Sequence, residues 1–369
     1  MIVDDSAVVR GVFGRILDAA PDVTVVTTAP NGQLALAALR RQPVDVVLLD
    51  VEMPELDGLA TLPLLVEAFP GTHVIMASSL THRGADVTLQ ALALGAADYI
   101  GKPSARTGAA ALQQLADDLV RKVRALGRGR PRAGAPALLA APPSPAGAAS
   151  IVLDARPGAR PRLGTILGGR SANVAPRVVA IAASTGGPNA LAAVLGALPA
   201  DFALPILITQ HMPPVFTQLL AQRLARDSGR SCVEASDGLP IRPGCAYVAP
   251  GDFHLVVATH EGAPIIRLSQ AAPENFCRPA ADAMLRATAS VFGATTIAIV
   301  LTGMGEDGRR GCEAVHRAGG RVLVQDEDSS VVWGMPGAVA RAGLADEVLP
   351  LGEIAARLRT LTHLPVSPC

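Results

Sequence analysis

Residues 178–187 read VVAIAASTGG, an apolar run without alternation that leads into a turn of small residues. Runs of this kind are typical of strands buried on both faces of a parallel sheet, with a helix after each turn. The same order recurs at residues 206–214, ILITQHMPP, and at residues 297–308, IAIVLTGMGEDG. Residues 243–262 are rich in turn signals, which indicate antiparallel hairpins. The C-terminal part is therefore predicted to be α/β, a doubly wound and mostly parallel sheet with an antiparallel hairpin edge.

The N-terminal part shows the same alternation of predicted strands and helices. It has five repeats, each a short apolar run followed by a segment of helical periodicity. The predicted strands are residues 1–3, 23–27, 44–49, 73–77 and 98–100. The predicted helices are residues 8–19, 33–41, 61–68, 84–93 and 109–126. Five repeats of this kind predict a five-stranded parallel sheet that is covered by helices on both faces.

Residues 127–176 differ in composition from both parts, since they hold eight Gly, eight Pro and seven Arg against one acid, Asp154. Such a segment buries too little apolar surface to offset its ordering entropy, which predicts a flexible linker. We therefore predict an N-terminal domain over residues 1–126, a linker over 127–176 and a C-terminal domain over 177–369. A role as a spacer is favoured over an Arg-mediated contact with an acidic face.

Composition narrows the class of protein. The chain has 32 Lys and Arg against 32 Asp and Glu, which argues against a nucleic-acid binder that works by phosphate neutralisation. No apolar run approaches the ~18 residues of a membrane span, and the first residues do not resemble a signal peptide. The five cysteines form no C-x-x-C pair, so a disulfide framework is not expected. These features predict a cytoplasmic protein without membrane insertion or a nucleic-acid partner.

Three acidic residues stand at the carboxyl ends of predicted strands, Asp4 and Asp5 after the first and Asp50 after the third. Neighbouring parallel strands share one crevice at that edge, so the carboxylates are expected to converge around a cation. Oxygen ligands of this kind suit Mg²⁺, which also takes up phosphate. Lys102, one of two lysines in the chain, and the Ser78 hydroxyl follow two further strands and suit contacts with phosphate oxygens. Helix capping explains any one of the acids, but it poorly explains all these groups together.

A second set of polar groups follows three strands of the C-terminal part. Ser184 lies in the turn after the first of these strands, His211 directly follows the second, and Glu306 and Asp307 follow a third. A hydroxyl, an imidazole and a carboxylate at strand ends are the parts of a hydrolytic triad. A phosphate-binding loop at Ser184 and simple helix capping remain alternatives. His254, beside a predicted hairpin strand, is interpreted as a surface residue.

The acidic and lysine motifs of the N-terminal part are VDDS at residues 3–6, LDVEMP at 49–54, DG at 57–58 and KP at 102–103. Together they resemble the receiver domain of two-component response regulators, over nearly all of residues 1–104. The resemblance implies a flavodoxin-like fold and phosphorylation of Asp50 by a histidine kinase. It also implies that Asp5, Asp50 and the main-chain carbonyl of Glu52 hold Mg²⁺, with Asp4 assisting.

The remaining receiver positions are matched as well. The resemblance implies that Lys102 and Ser78 bind the phosphoryl oxygens. Tyr99 matches the aromatic switch position of the family. A cis peptide bond is implied before Pro103.

Five motifs of the C-terminal part share a further resemblance. They are ASTGGP at residues 183–188, TQHMPP at 209–214, APGD at 249–252, LTGMGEDG at 301–308 and VVWGMP at 331–336. They resemble the catalytic domain of chemotaxis receptor methylesterases, over about residues 177–350. The resemblance implies Ser184 as the nucleophile, His211 as the general base and Asp307 as the acid that orients the imidazole. It places the Met304 amide in the oxyanion hole and Thr185 beside the nucleophile.

The combined resemblance predicts a phosphorylation-activated protein-glutamate methylesterase, a carboxylic ester hydrolase that also deamidates receptor glutamines. Its implied partners are a chemotaxis histidine kinase as phosphodonor and the cytoplasmic domain of methyl-accepting chemoreceptors as substrate. Mg²⁺ is expected in the receiver domain, and no cofactor is expected for ester hydrolysis. We hypothesise that the unphosphorylated receiver packs over the catalytic crevice. The alternatives are a regulator whose C-terminal domain binds a nucleotide or phosphate without hydrolysis, and a scaffold or DNA-binding response regulator.

Overall fold

The computed structural model describes residues 1–79, 81–103, 108–127 and 174–362. Its N-terminal half is a five-stranded parallel sheet in the order β2-β1-β3-β4-β5. The strands are β1 Ile2–Val3, β2 Thr28–Ala29, β3 Val46–Asp50, β4 His73–Ser78 and β5 Asp98–Gly101. The helices are α1 Ala7–Asp18, α2 Gly32–Arg41, α3 Gly58–Ala68, α4 His82–Ala93 and α5 Ala109–Gly127. The predicted five-stranded parallel sheet is confirmed.

The second strand differs from the sequence prediction. The sequence predicts a strand over residues 23–27, whereas the structure has β2 at Thr28–Ala29. β2 pairs with β1, which is itself two residues long, so that Ile2 lies beside Thr28 and Val3 beside Ala29. A ladder extends only as far as its partner strand, and residues 23–27 therefore precede the paired segment.

The C-terminal half is a seven-stranded sheet in the order β14-β13-β12-β6-β7-β9-β8, with every neighbouring pair parallel. Its strands are β6 Val178–Ala183, β7 Ile206–Gln210, β8 Cys232–Glu234, β9 Ala246–Val248, β12 Thr296–Val300, β13 Arg321–Gln325 and β14 Glu347–Leu349. Its helices are α6 Gly187–Ala197, α7 Phe216–Ser228, α8 Ala281–Phe292, α9 Arg309–Arg317, α10 Met335–Arg341 and α11 Leu351–Thr362.

An antiparallel hairpin of β10 His254–His260 and β11 Ala263–Ser269 accompanies this sheet. The predicted combination of a mostly parallel sheet with a hairpin is confirmed. The hairpin forms a two-stranded sheet of its own, however, and the outer edge on that side is the parallel strand β8. The turn signal at residues 243–244 lies before β9, whose neighbours are parallel, so it does not close a hairpin.

Small aliphatic side chains fill both faces of the C-terminal sheet, as the low aromatic content requires. On β6, Val179 and Ile181 pack towards α6, α7 and α11, whereas Ala180 and Ala182 pack towards α8, α9 and α10. Burial of apolar surface stabilises such a core by roughly 25 cal/mol per Å². The strand ends therefore form a rigid edge from which loops carry polar groups.

The two halves share one continuous apolar cluster, to which Tyr99 and Phe216 both belong. The predicted linker over residues 127–176 lies, apart from its first residue and its last three, outside the described residues. Among the residues that the structure describes, no helix has the length and apolarity to cross a bilayer.

Candidate functional site

Three loops meet at the carboxyl edge of the C-terminal sheet, because β6 lies between β7 and β12. Ser184 follows β6, His211 follows β7, and Asp307 lies in the loop between β12 and α9. The His211 amide donates a hydrogen bond to the Ala183 carbonyl at 3.2 Å, which joins the first two loops. All three residues of the predicted triad line the same cleft.

Asp307 is buried, and both of its carboxylate oxygens accept hydrogen bonds. His211 Nε2 lies 2.7 Å from Oδ2, which also accepts from the Ala281 amide at 2.6 Å. Oδ1 accepts from the amides of Asp282 and Gly308, each at 3.0 Å. Burial alone would raise the pKa of Asp307, but His211 and these amides outweigh it and hold the pKa below its usual value. The carboxylate is therefore charged and fixed in place.

The two ring nitrogens of His211 have different partners. Nε2 faces Asp307, whereas Nδ1 lies 3.5 Å from Cys277 Sγ. Burial lowers the pKa of His211, but the charge of Cys277 and the hydrogen bond to Asp307 together raise it above its ordinary value. In the described part of the chain, no hydrogen bond joins Ser184 Oγ to the ring. Nδ1, the nitrogen that faces the thiol, is therefore the ring nitrogen that does not contact Asp307.

The turn that carries Ser184 depends on glycines and on an amide side chain. Gly186 has a φ of 77°, and a Cβ atom on Gly187 would lie 2.0 Å from Gln210 Oε1. Gln210 Nε2 donates to the Ser184 carbonyl at 2.9 Å, and the Ser184 amide donates to the Thr302 carbonyl at 3.0 Å. The main chain of Ser184 is therefore held from both neighbouring strands.

Met304 and Thr185 line the cleft together with Ser184, and their polar groups have different partners. Met304 lines the cleft, and its amide has no hydrogen-bond partner among the residues that the structure describes. A free N–H at this place suits an oxyanion, which needs such donors. The Thr185 hydroxyl is buried and donates to Asp98 Oδ2 at 2.5 Å. Thr185 therefore joins the Ser184 turn to β5 of the N-terminal half.

A second polar cluster lies at the carboxyl edge of the N-terminal sheet. Asp4, Asp5 and Asp50 have oxygen atoms within 4.8 Å of one another, and Lys102 Nζ lies 2.6 Å from Asp50 Oδ1 and 3.0 Å from Asp4 Oδ2. Asp50 Oδ2 is buried and has no hydrogen-bond partner within the described ranges. Burial raises the pKa of Asp50 to about 6, although Lys102 opposes the shift. Three carboxylates with an unpaired buried oxygen fit a divalent cation such as Mg²⁺.

Ser78 and Glu52 lie at the same edge. Ser78 is buried, and its hydroxyl donates to a main-chain carbonyl of α4 at 3.1 Å. The Glu52 side chain is exposed, and its amide donates to Asp50 Oδ1 at 3.3 Å. The expected cis bond before Pro103 is not found, since the cis peptide of the described residues precedes Pro279.

The predicted switch residue Tyr99 joins the two halves. Its ring is buried and stacks on Phe216 of α7, with the ring centroids 4.7 Å apart. Its neighbour Asp98 accepts the hydrogen bond from Thr185, and Lys122 Nζ lies 3.2 Å from the other Asp98 oxygen. The cleft that Ser184, His211 and Asp307 line has a volume of about 1790 Å³, and its walls are formed by α1 and α5 as well as by loops of the C-terminal half. The N-terminal half therefore covers one side of the cleft.

Several residues at these sites were not predicted from the sequence. Asn275 Nδ2 donates to Asp307 Oδ1 at 2.9 Å, and Cys277 contacts the imidazole. Both lie in a loop without periodicity, so the sequence carries no signal for them. Asp98 has one weak signal, a charge at the start of a predicted buried strand. His254, interpreted from the sequence as a surface residue, is instead buried, and its burial leaves no ring nitrogen without a partner, because both bond to the main chain.

Known proteins are similar to both halves of this chain. Residues 179–358 match the family model of the CheB methylesterase, and residues 1–114 match that of the response regulator receiver domain. The chain is 49% identical over 365 residues to the protein-glutamate methylesterase/protein-glutamine glutaminase of group 2 operon from Rhodospirillum centenum, over 96% of this chain and 91% of the relative. It is 50% identical over 357 residues to protein-glutamate methylesterase/protein-glutamine glutaminase 1 from Paramagnetospirillum magneticum, over 96% and 93%.

A solved structure is similar to the C-terminal half. The crystal structure of the Thermotoga maritima CheB methylesterase catalytic domain covers 51% of this chain and 100% of its own length. The identity is 42% and the TM-score is 0.50. The match falls on the half that carries Ser184, His211 and Asp307.

Proposed function

The chain belongs to the CheB methylesterase family and carries an N-terminal receiver domain, and we propose that it is a phosphorylation-activated protein-glutamate methylesterase and protein-glutamine glutaminase. The proposed substrate is a glutamate 5-methyl ester on the cytoplasmic domain of a methyl-accepting chemoreceptor. The alternative, a C-terminal domain that binds a nucleotide or phosphate without hydrolysis, has no support among these relatives.

Ester hydrolysis is proposed to proceed through an acyl-enzyme. Ser184 Oγ attacks the ester carbonyl while His211 Nδ1 takes its proton, and Asp307 stabilises the resulting imidazolium through Nε2. The Met304 amide donates to the oxyanion of the tetrahedral intermediate. His211 then returns the proton to the departing methanol, and water hydrolyses the acyl-enzyme with the same base.

The observation that carries this proposal is the His211–Asp307 pair at 2.7 Å, in one cleft with Ser184. Ser184→Ala removes the nucleophile and should lower methanol release from methylated receptor by roughly 10⁴-fold or more. The matched control is Ser231→Ala, at an exposed serine before the edge strand β8, which should match wild type. Methanol release by Ser184→Ala at the wild-type rate would refute the assignment.

Deamidation of receptor glutamines is proposed to use the same groups, with ammonia as the leaving group. His211 must protonate a nitrogen that leaves less readily than the oxygen of a methyl ester. Ammonia release from a receptor with glutamine at the modified position should therefore fall together with methanol release in Ser184→Ala. Loss of only one of the two activities in Ser184→Ala would show that the two reactions use different groups.

The receiver domain is proposed to accept a phosphoryl group on Asp50 from a chemotaxis histidine kinase. Asp5, Asp50 and the Glu52 carbonyl would hold Mg²⁺, with Asp4 assisting. When bound, the cation neutralises the charge of the phosphoryl oxygens. The unpaired buried oxygen of Asp50 supports this assignment.

Lys102 and Ser78 are proposed to bind the phosphoryl oxygens. In the structure, Lys102 Nζ contacts two carboxylates and the Ser78 hydroxyl donates to a main-chain carbonyl of α4. Both groups would move to contact the phosphoryl oxygens when Asp50 is phosphorylated. Lys102 follows the strand that carries Tyr99, so a shift there would reach the stack on Phe216.

The unphosphorylated receiver is proposed to restrain the esterase by covering the cleft, and phosphorylation to weaken that contact. The Asp98–Thr185 hydrogen bond and the helices that wall the cleft support this proposal. Asp50→Ala should keep a low methanol release that a small phosphodonor with Mg²⁺ does not raise. Stimulation of this variant as strong as that of wild type would refute the proposal.

The remaining sequence predictions complete the proposal. The domain bounds are 1–126 for the receiver, 127–176 for the linker and 177–369 for the catalytic domain. Ester hydrolysis is proposed to need no cofactor, because a serine, a histidine and an aspartate suffice for this chemistry. A cytoplasmic location follows from the proposed substrate, and neither nucleic acid nor membrane insertion is part of the mechanism.

A further inference from the structure

The loop over residues 272–280 borders the catalytic cleft but has no part in the mechanism above. Within it, Glu274 and Cys277 close a tight turn through two main-chain hydrogen bonds of 3.1 and 2.8 Å. The two residues inside this 274–277 turn, Asn275 and Phe276, have φ angles of 50° and 64°. This is the left-handed region that residues other than glycine rarely adopt, so the surroundings must hold the turn in shape.

Two side chains outside the turn hold the loop in place. His254 donates from Nε2 to the Ala272 carbonyl and accepts at Nδ1 from the Ala280 amide, both at 3.1 Å. It thereby ties the two ends of the loop together. Arg278 Nη2 lies 2.6 Å from Asp252 Oδ1, in the APGD motif. Hydrogen bonds and an ion pair thus hold the loop in one conformation, and the buried His254 side chain binds both of its ends.

Asn275 is the residue of the turn that contacts Asp307. Its Nδ2 atom donates to Asp307 Oδ1 at 2.9 Å and to Asp282 Oδ2 at 3.0 Å. Asp282 is buried, and its pKa is raised by burial and by the charge of Asp307. One neutral amide with two N–H donors therefore bridges two buried carboxylates that otherwise repel.

Cys277 is the residue of the turn that contacts His211. Its Sγ atom lies 3.5 Å from His211 Nδ1. The contact allows two proton arrangements, a thiol that donates to the ring nitrogen or a protonated ring that donates to a thiolate. In either arrangement the lone pair that Ser184 requires is already engaged. Ser184 must therefore displace the sulfur before it is activated.

We propose that the 274–277 turn is a positioning element of the acid–base pair, in which Asn275 fixes Asp307 and Cys277 holds His211 Nδ1 until Ser184 replaces it. This inference rests on the proposed function, because it has meaning only if His211 serves Ser184. The exchange moves a proton between sulfur and ring nitrogen and makes no covalent bond at sulfur. Both residues act through the pair and not on the substrate.

The test of Cys277 is the pH dependence of kcat/KM for methanol release by the full chain. Of the two proton arrangements, the one with a thiolate and a protonated ring agrees with the raised pKa of His211, and in it Cys277 stabilises the protonated imidazole. Cys277→Ala should therefore move the acid limb of the pH profile to lower pH by about 1–3 units. Cys277→Ser keeps a hydrogen-bonding group of lower acidity, and its limb should lie between those of wild type and Cys277→Ala. Cys245→Ala, which removes a half-buried cysteine before β9, should keep the wild-type limb. A wild-type limb in both Cys277 variants overturns the role of Cys277.

For Asn275, the acid limb of the pH profile is expected to shift in the opposite direction. Asn275→Asp places a third carboxylate beside Asp282 and Asp307, which favours the protonated imidazole and should move the acid limb to higher pH. Asn275→Ala removes the donor without adding charge and should lower kcat by about 10-fold to 100-fold with KM near wild type. A turn with only a structural role would lower the activity of both variants by a constant factor at every pH. That result overturns the role of Asn275.

Failure of this inference is distinguishable from failure of the proposed function. If wild type releases no methanol from methylated receptor, the proposed function fails, and if Ser184→Ala retains wild-type methanol release, the assignment of Ser184 as the nucleophile fails. If Ser184→Ala is inactive while the variants of the turn keep the wild-type limb, only the positioning role fails. Methanol release by Ser184→Ala that is lost when Cys277→Ala is added would favour the thiol as the nucleophile and overturn both the assignment of Ser184 and the positioning role of Cys277.

Discussion

Asp50 and Asp307 are buried aspartates at the carboxyl edges of two parallel sheets, yet their pKa values shift in opposite directions. Asp50 is 1% exposed and Asp307 is 2% exposed, so burial disfavours the ionised form of both. The pKa of Asp50 is nevertheless raised to about 6, whereas that of Asp307 is held below its usual value. Burial alone therefore does not decide the charge of a strand-end carboxylate.

The difference lies in the hydrogen bonds that each carboxylate accepts. Asp307 accepts from main-chain amides, from Asn275 and from His211, and both of its oxygens are occupied. Asp50 has Lys102 and an amide on one oxygen, and its other oxygen lacks a partner among the described residues. An occupied carboxylate suits a group that holds an imidazole. An oxygen without a partner is available to a cation or a phosphoryl group.

The largest expected effect is on the rate of methanol release, which should respond differently to substitution of the two aspartates. Asp307→Asn keeps the shape of the side chain but removes the charge that we propose stabilises the imidazolium, so kcat for methanol release should fall by roughly 10⁴-fold. Asp50→Asn alters a group of the other domain, and its main loss should be the response to a phosphodonor. Steady-state methanol release with and without phosphodonor measures both. Equal losses of kcat in the two variants would contradict this division of roles.

A smaller effect is expected where the two regions touch. Asp98 accepts the hydrogen bond from Thr185, so Asp98→Ala should weaken the receiver contact and raise methanol release without phosphodonor by about 5-fold to 150-fold. Asp118→Ala is the matched control, because Asp118 pairs with Lys122 at 3.3 Å, as Asp98 does at 3.2 Å. The control should behave as wild type. If both variants release methanol at the wild-type rate, the Asp98–Thr185 contact does not restrain the esterase.

The smallest expected effect concerns stability and has opposite signs at the two aspartates. The pKa of Asp50 rises from 3.8 to about 6 in the fold, so the stability it contributes is present at low pH and is lost as the pH rises through about 6. Asp50→Asn should therefore raise the free energy of unfolding by roughly 1–3 kcal/mol near pH 7 and leave it unchanged below about pH 4. Asp307 has a lowered pKa and stabilises the charged form, so Asp307→Asn should lower the free energy of unfolding near pH 7.

Denaturant unfolding of the full chain, followed at both pH values, checks these signs. The pH-dependent difference between wild type and Asp50→Asn isolates the contribution of Asp50 from that of other titrating groups. Shifts of the same sign in the two variants near neutral pH would contradict the comparison.

The strand-end location of both sites was predictable from the sequence. Asp50 and His211 each follow an apolar run without alternation, which indicates a strand buried on both faces and an exposed edge after it. The position of β2 was not predictable, because its partner β1 limits its length to two residues. The hairpin was predictable from its turn signals, but its separation from the main sheet was not, since pairing depends on distant strands.

By itself the sequence determined the two parallel sheets and the polar residues that follow their strands, because side-chain alternation and turn composition are local properties of the chain. Only the tertiary structure decided that Cys277 faces the Nδ1 atom of His211, 66 positions away, and that Thr185 bonds to Asp98, 87 positions away. Such contacts depend on how a non-periodic loop turns and on how two domains pack. Neither is encoded by any local pattern of residues.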